Sequence, residues 1–358
     1  MHTESRYRGA TRRALGAALA AVLVAAPLLA GGGAAHAEGK LNVYNWGDYI
    51  NPEVLQRFSE EYDVEVSLDT YGSNEEMLAK IQAGATGYDI VFPSVHMHDI
   101  MHKLGLLWKS NINEHPLFEN IDRDFLRAKT DPNGEWCLPY AWGTVGIFYN
   151  KDLVPKVESW ADFFDIPDKY GEDIIMLPDM REVISVGLIM NGMSVNTGSM
   201  EDLEVAQEYV LERKPEIAAF TYDGARSAVL SGDAGAAQWY VGAMMHVMEN
   251  PEKYDYVIPE EGATMYQEDI CVLKSAPNKE NAKKFMEFYL QPEIPVLNIK
   301  QQMNGTPNKA ARELLPPRFK NNPAVNPPAE VMDKLQIFED LGQDIRKYNR
   351  VWTRIRTQ

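Results

Sequence analysis

Apolar and polar positions alternate in two regimes along this chain, and the switches between them mark its elements. Leu41 and Val43 alternate with polar neighbours and predict a strand with one buried face, which breaks into Asn45-Trp46-Gly47-Asp48-Tyr49. Asn51 and Pro52 then supply an N-cap and a first helical position, and Val54, Leu55 and Phe58 give the next helix one apolar side. Val64, Val66 and Leu68 alternate as a second strand. Ser73-Asn74-Glu75-Glu76 is a capping box that opens a helix carrying Met77, Leu78 and Ile81, with Gly84 as its stop. Tyr88 to Phe92 reads as a buried strand broken by Pro93-Ser94, and a further helix runs to Leu107. This β-α-β-α-β order predicts a mostly parallel sheet covered by helices.

After the turn Asp131-Pro132-Asn133-Gly134, Trp136 to Asn150 is one long extended run, and a second α/β series follows it. Its strands are expected over 174–177 and 236–240, and its helices over 181–190 and 201–213. A second extended run, Ala263 to Leu273, leads into an amphipathic helix over 280–290. Residues 316–328 are rich in Pro and Asn and read as an irregular connection. A final helix is expected from Glu330 to about Ile355, with Leu335, Phe338, Leu341, Ile345, Tyr348, Val351 and Trp352 at helical intervals. Two α/β units joined by two long crossings, rather than by one linker, are the layout of a hinged two-lobe protein.

The N-terminus changes the picture. Arg6, Arg8, Arg12 and Arg13 precede an apolar run from Ala14 to Ala30, and Ala35-His36-Ala37 supplies a small-x-small cleavage site. Residues 1–37 therefore read as a signal peptide of the Sec or twin-arginine type, and the mature chain is expected in the periplasm, not inserted in a membrane. The whole chain carries 35 Lys and Arg against 52 Asp and Glu, a formal charge of −17. That balance argues against nucleic acid and mildly favours cationic partners. Its two cysteines, Cys137 and Cys271, are free to pair in an oxidising compartment, but their separation along the chain leaves the matter open.

Four stretches carry candidate chemistry, and each also has a plain structural reading. Trp46, Asp48 and Tyr49 follow a strand end, where open α/β sheets place their ligands; an indole, a carboxylate and a phenol suit a small organic cation, or equally a core and a helix start. Asp179 and Glu182 open a helix after another strand and fit either a capping box or a ligand. Trp239 and Tyr240 lie on a strand, where only one of the two can face a given cleft, and Tyr266 and Glu268 lie on the second crossing. His98 and His102 are spaced to share a helix face, as in a zinc site, but no acid or cysteine completes an obvious set, and no metal is expected. Motifs of hydrolases, zinc proteases and phosphate loops are lacking, so neither catalysis nor a cofactor is expected.

Taken together, Tyr44-Asn45-Trp46-Gly47-Asp48-Tyr49, Ser73-Asn74-Glu75, Tyr88 to Ser94, Pro139 to Gly143, Asp179 to Val183, Ile258 to Gly262 and Gly305 to Asn308 carry a family resemblance. In order and spacing the chain resembles the periplasmic spermidine/putrescine-binding proteins of polyamine ABC importers. The resemblance implies the type II periplasmic-binding-protein fold, two helix-covered sheets joined by two crossover strands, closing on a protonated polyamine. It assigns 38–141 and 270–312 to one lobe and 142–269 and 313–358 to the other. By the same resemblance Trp46 and Tyr49 form an aromatic wall, Asp48 lies near a terminal amine, and Ser94 comes from the next strand end. Glu182 and Asp179 come from the second lobe, Tyr240 and Tyr266 fill positions of large aromatic residues, and Glu268 grips an amine. His96 stands where spermidine binders have Tyr, and Ala243 where putrescine binders have a further Asp, which leaves ligand length open. The implied partner is an inner-membrane ABC permease, and the implied state is a monomer. The alternatives are another small solute bound by the same fold, and a secreted two-lobe enzyme.

Overall fold

A computed structural model describes residues 39–84, 87–222 and 224–358. The signal peptide expected over 1–37 lies outside the described residues. The first series is β1 (Gly39–Trp46), α1 (Pro52–Tyr62), β2 (Val64–Tyr71), α2 (Asn74–Gln82), β3 (Ile90–Val91) and α3 (Val95–Lys103). Its boundaries follow local chemistry. The Asn51 side chain accepts from the Glu53 amide, and Ser73 accepts from the Glu76 amide while the Glu76 carboxylate returns to the Gly72 amide. α3 ends earlier than its expected limit at Leu107. Gly105, at φ +67, turns the chain, and Leu107 instead bridges Leu273.

β4 (Cys137–Asn150) is buried along its whole length. The second series is α4 (Trp160–Tyr170), β5 (Ile174–Met176), α5 (Met180–Met190), α6 (Met200–Arg213), β6 (Ile217–Phe220), α7 (Ala225–Ser231), β7 (Ala236–Tyr240), α8 (Met244–Glu249) and β8 (Tyr254–Val257). β9 (Ala263–Val272) follows, then α9 (Lys279–Tyr289), α10 (Glu293–Gln302), α11 (Lys309–Leu314), α12 (Pro317–Lys320) and α13 (Ala329–Met332). The chain ends with β10 (Leu335–Ile337) and α14 (Ile345–Thr357).

The two crossings organise the sheet, whose hydrogen-bonded order is β2-β1-β3-β9-β4-β7-β5-β6. β1 pairs in parallel with β2 and β3, and β5 in parallel with β6 and β7, whereas β9 and β4 run antiparallel to each other and to their outer neighbours. β4 and β9 thus pass through both halves. Leu138 and Ile270 belong to a core with Leu41, Phe92 and Phe285, while Ile147 belongs to a core with Phe163, Ile174 and Val183. A third core gathers Phe148, Ala237, Val241 and Phe319.

The single helix expected over 330–355 is instead α13, a strand and α14. β10 pairs in parallel with β9, Leu335 opposite Ala263 and Ile337 opposite Met265, so an open strand edge outcompetes the helical spacing. The 316–328 connection is irregular apart from the short α12. Cys137 and Cys271 face each other across β4 and β9 and form a disulfide, their Cα atoms 4.6 Å apart as in a non-hydrogen-bonded antiparallel pair.

Candidate functional site

Side chains alternate along β9, so Thr264, Tyr266 and Glu268 share one face of the strand. That face collects most of the singled-out residues. At its far end Glu268, only 4 % exposed, accepts from the Tyr49 hydroxyl at 2.6 Å and from the Ser94 hydroxyl at 3.1 Å. Ser94 occupies the N-cap of α3 but makes no cap bond. Its hydroxyl donates to Glu268 and accepts from Asn74 Nδ2 at 3.0 Å. Burial outweighs the two hydroxyl donors and pushes the Glu268 carboxyl up to about 8.

The loop after β1 is held from below. The Tyr140 hydroxyl donates to the Tyr49 carbonyl at 2.5 Å, and Asn298 Nδ2 donates to the Tyr140 hydroxyl at 2.7 Å. Trp46 Nε1 donates to the Phe92 carbonyl at 2.8 Å, and its half-buried ring packs on Tyr71 with centroids 4.8 Å apart. Asp48 is exposed at φ +53 and joins no hydrogen bond or ion pair among the described residues. The Tyr49–Glu268 network therefore does not include it.

At the other end Thr264 donates to Glu182 Oε2 at 2.5 Å. Glu182 is 6 % exposed, and burial, then the charge of Asp179, raises its carboxyl to about 8. Asp179 is the N-cap of α5 and accepts from the Arg181 and Glu182 amides at 2.8 and 3.0 Å. Between the two acids lies a patch of rings. Tyr240 and Tyr266 meet edge-on with centroids 5.7 Å apart, and the Tyr266 hydroxyl donates to Asn304 Oδ1 at 2.9 Å. Tyr266 can lie across β4 only because Gly143 stands opposite it; a Cβ there would come within 2.3 Å of the phenol oxygen.

His96 lies apart from both acids' hydrogen bonds. Burial and then the nearby Arg181 charge lower its pKa to about 4, against the pull of Asp340 and Asp99, so the imidazole is neutral at working pH. Arg181 itself is held by the Glu339 and Val195 carbonyls and by Asn196, with its guanidinium stacked on Phe338. The histidine pair read from the sequence is split. His98 is buried with Nδ1 2.8 Å from Asp269, while the His102 ring packs edge-on against Trp136.

Residues 53–327 match the family described as bacterial extracellular solute-binding protein. The chain belongs to this family. The solute-binding protein is 32% identical over 340 residues to the spermidine/putrescine-binding periplasmic protein of Escherichia coli K12, covering 94% of this chain and 97% of that one. It is also 32% identical to the putrescine-binding periplasmic protein SpuD of Pseudomonas aeruginosa UCBPP-PA14, covering 88% of this chain and 92% of that one. Among solved structures it is similar to the spermidine/putrescine ABC transporter substrate-binding protein PotD of Streptococcus pneumoniae. The TM-score is 0.80 at 32% identity, over 89% of this chain and 98% of that one. These relatives are two-lobe substrate-binding proteins of transport systems, and the solute-binding protein shares their α/β fold.

Several residues of this face were not singled out from the sequence. Thr264 was legible, since it lies four positions before Glu268 on an alternating strand. Asn304 carried no such signal, and Tyr140 stood out only as part of the Pro139 to Gly143 stretch. One sits in an irregular loop, and the other in a strand buried on both faces.

Proposed function

We propose that the solute-binding protein captures a protonated di- or polyamine, putrescine or spermidine, between its lobes in the periplasm. It then hands the ligand unchanged, as a monomer, to an inner-membrane ABC permease. The lobes proposed are 38–141 with 270–312 and 142–269 with 313–358. One observation carries this reading. Glu268 and Glu182 are buried carboxyls at opposite ends of one strand face, with the Tyr240 and Tyr266 rings between them. An ammonium taken from water needs a buried carboxylate to compensate its lost hydration, and a methylene chain needs flat apolar surface. Burial raises both carboxyls to about 8, and an ammonium placed beside each would favour its ionised form.

In this reading Tyr49 and Ser94 orient Glu268, Asp179 adds negative potential beside Glu182, and Trp46 and His96 close the walls. Asp48 reaches an amine only if its loop moves inward. Calorimetric titration of the purified protein with putrescine and with spermidine tests the reading, followed by mass spectrometry of the released ligand. Saturable heat with intact ligand recovered is expected. Absence of heat and of thermal stabilisation with both amines overturns it, and time-dependent loss of the amine would make the protein an enzyme instead.

A further inference from the structure

The disulfide does not sit among apolar neighbours alone. Where α3 meets β4 and β9, one ligand atom each of His98, Cys137 and Cys271 lies within 4.8 Å of the others, and all three residues are at most 1 % exposed. His98 Nδ1 is engaged by Asp269 at 2.8 Å, which leaves Nε2 with no hydrogen-bond partner among the described residues. A buried imidazole with an idle nitrogen, oriented by a carboxylate behind it, has the architecture of a metal ligand rather than of a packed core residue. Asp131 Oδ2 lies 4.0 Å from Nε2 and is itself held by the Trp136 and Cys137 amides.

We infer that, once the Cys137–Cys271 bond is reduced, the two sulfurs and His98 bind a divalent cation of the zinc type. The same junction is then clipped in either redox state: by a covalent bond when oxidised, by a metal when reduced. Two thiolates and a neutral imidazole are a three-ligand set that zinc takes with its fourth tetrahedral position left to water, with zinc–sulfur bonds of about 2.3 Å. Reduction delivers two electrons and two protons from a dithiol, which leaves as its own disulfide. The metal then displaces the two thiol protons, and His98 binds as the neutral ring with its proton kept on Nδ1 toward Asp269. The oxidised protein cannot bind this way, because both sulfurs are spent in their mutual bond. The three ligands come from parts of the chain that are far apart in sequence, with a separation of 134 between the cysteines, so no motif spacing announces the site.

The test is cobalt titration of the chain from Glu38 onward, refolded without oxygen in the presence of a phosphine reductant. The phosphine takes oxygen from water as it leaves the sulfurs reduced. One equivalent of Co²⁺ is expected to raise a thiolate-to-cobalt charge-transfer band in the near ultraviolet, bleached by Zn²⁺, and absent from the oxidised protein. Cys137→Ser with Cys271→Ser should abolish the band. His98→Gln should weaken cobalt binding by at least the roughly 10- to 100-fold that loss of an outer-shell partner causes, while the band persists at high metal. Far-ultraviolet circular dichroism identifies any variant that has not folded, and His98→Asn then takes its place. No band in the folded reduced protein, or undiminished affinity in folded His98 variants, overturns the inference.

Discussion

Ser94 and Asp179 show how an N-cap position can serve either the helix backbone or a distant buried side chain. Ser94 stands at an N-cap, where serine ordinarily satisfies a helix amide, yet its hydroxyl is turned to Glu268; Asp179, at the equivalent position of α5, keeps the capping role. The carboxyls of Glu268 and Glu182, raised to about 8, carry a sign that can be measured. A folded-state value above the unfolded one means that the folded chain holds more protons, so stability of the empty protein falls as pH rises from about 4.5 toward 8. Amine binding runs the other way, since it needs the ionised acids: affinity for putrescine should rise between pH 6 and 8, by at most about tenfold per pH unit for each proton released. Titration in buffers of different ionisation enthalpy measures those protons, and none released would contradict the prediction. Glu268→Gln or Glu182→Gln should weaken binding by ~3–5 kcal/mol, the cost of an ammonium left without its charge partner, and should flatten the pH dependence of stability.

At the scale of elements, β9 is the spine on which the site is strung. Its alternation puts Thr264, Tyr266 and Glu268 on one side and Asp269 on the other, where Asp269 holds His98. The strand needs Gly143 opposite Tyr266, and Gly143→Ala would set a methyl against the phenol ring and against Val241 Cγ1 at 2.8 Å. A loss of ~1–3 kcal/mol in denaturant unfolding is expected, together with weaker amine binding as the ring is displaced. β10 teaches a related point. Its residues carry helical spacing, yet the edge of β9 offers backbone partners that an isolated helix turn lacks.

For the whole molecule, two kinds of long-range tie differ in weight. The Cys137–Cys271 bond closes a loop spanning 134 residues, and Cys137→Ser with Cys271→Ser should cost ~3–5 kcal/mol through the unfolded chain's added freedom. The pairs Lys103–Asp340 and Lys129–Glu339, at 2.7 and 2.6 Å, join the first half to the segment after β10, but their lysines are exposed. Lys103→Ala with Lys129→Ala should therefore cost no more than about 1–2 kcal/mol, and the difference should shrink in high salt, as parallel unfolding curves would show.

The amino-acid sequence by itself determined the local elements, because caps, periods and breakers act within a few residues. Asn51-Pro52, Ser73 to Glu76 and the runs that became β4 and β9 needed no distant partner to be read. Only the tertiary structure decided that Cys137 meets Cys271, that Glu182 meets Thr264, and that Leu335 to Ile337 leave a helix for a strand. It also turned Ser94 inward and left Asp48 in solvent. Those outcomes depend on strand register and on which side chains lose water together. Neither quantity exists until segments far apart in the chain have packed.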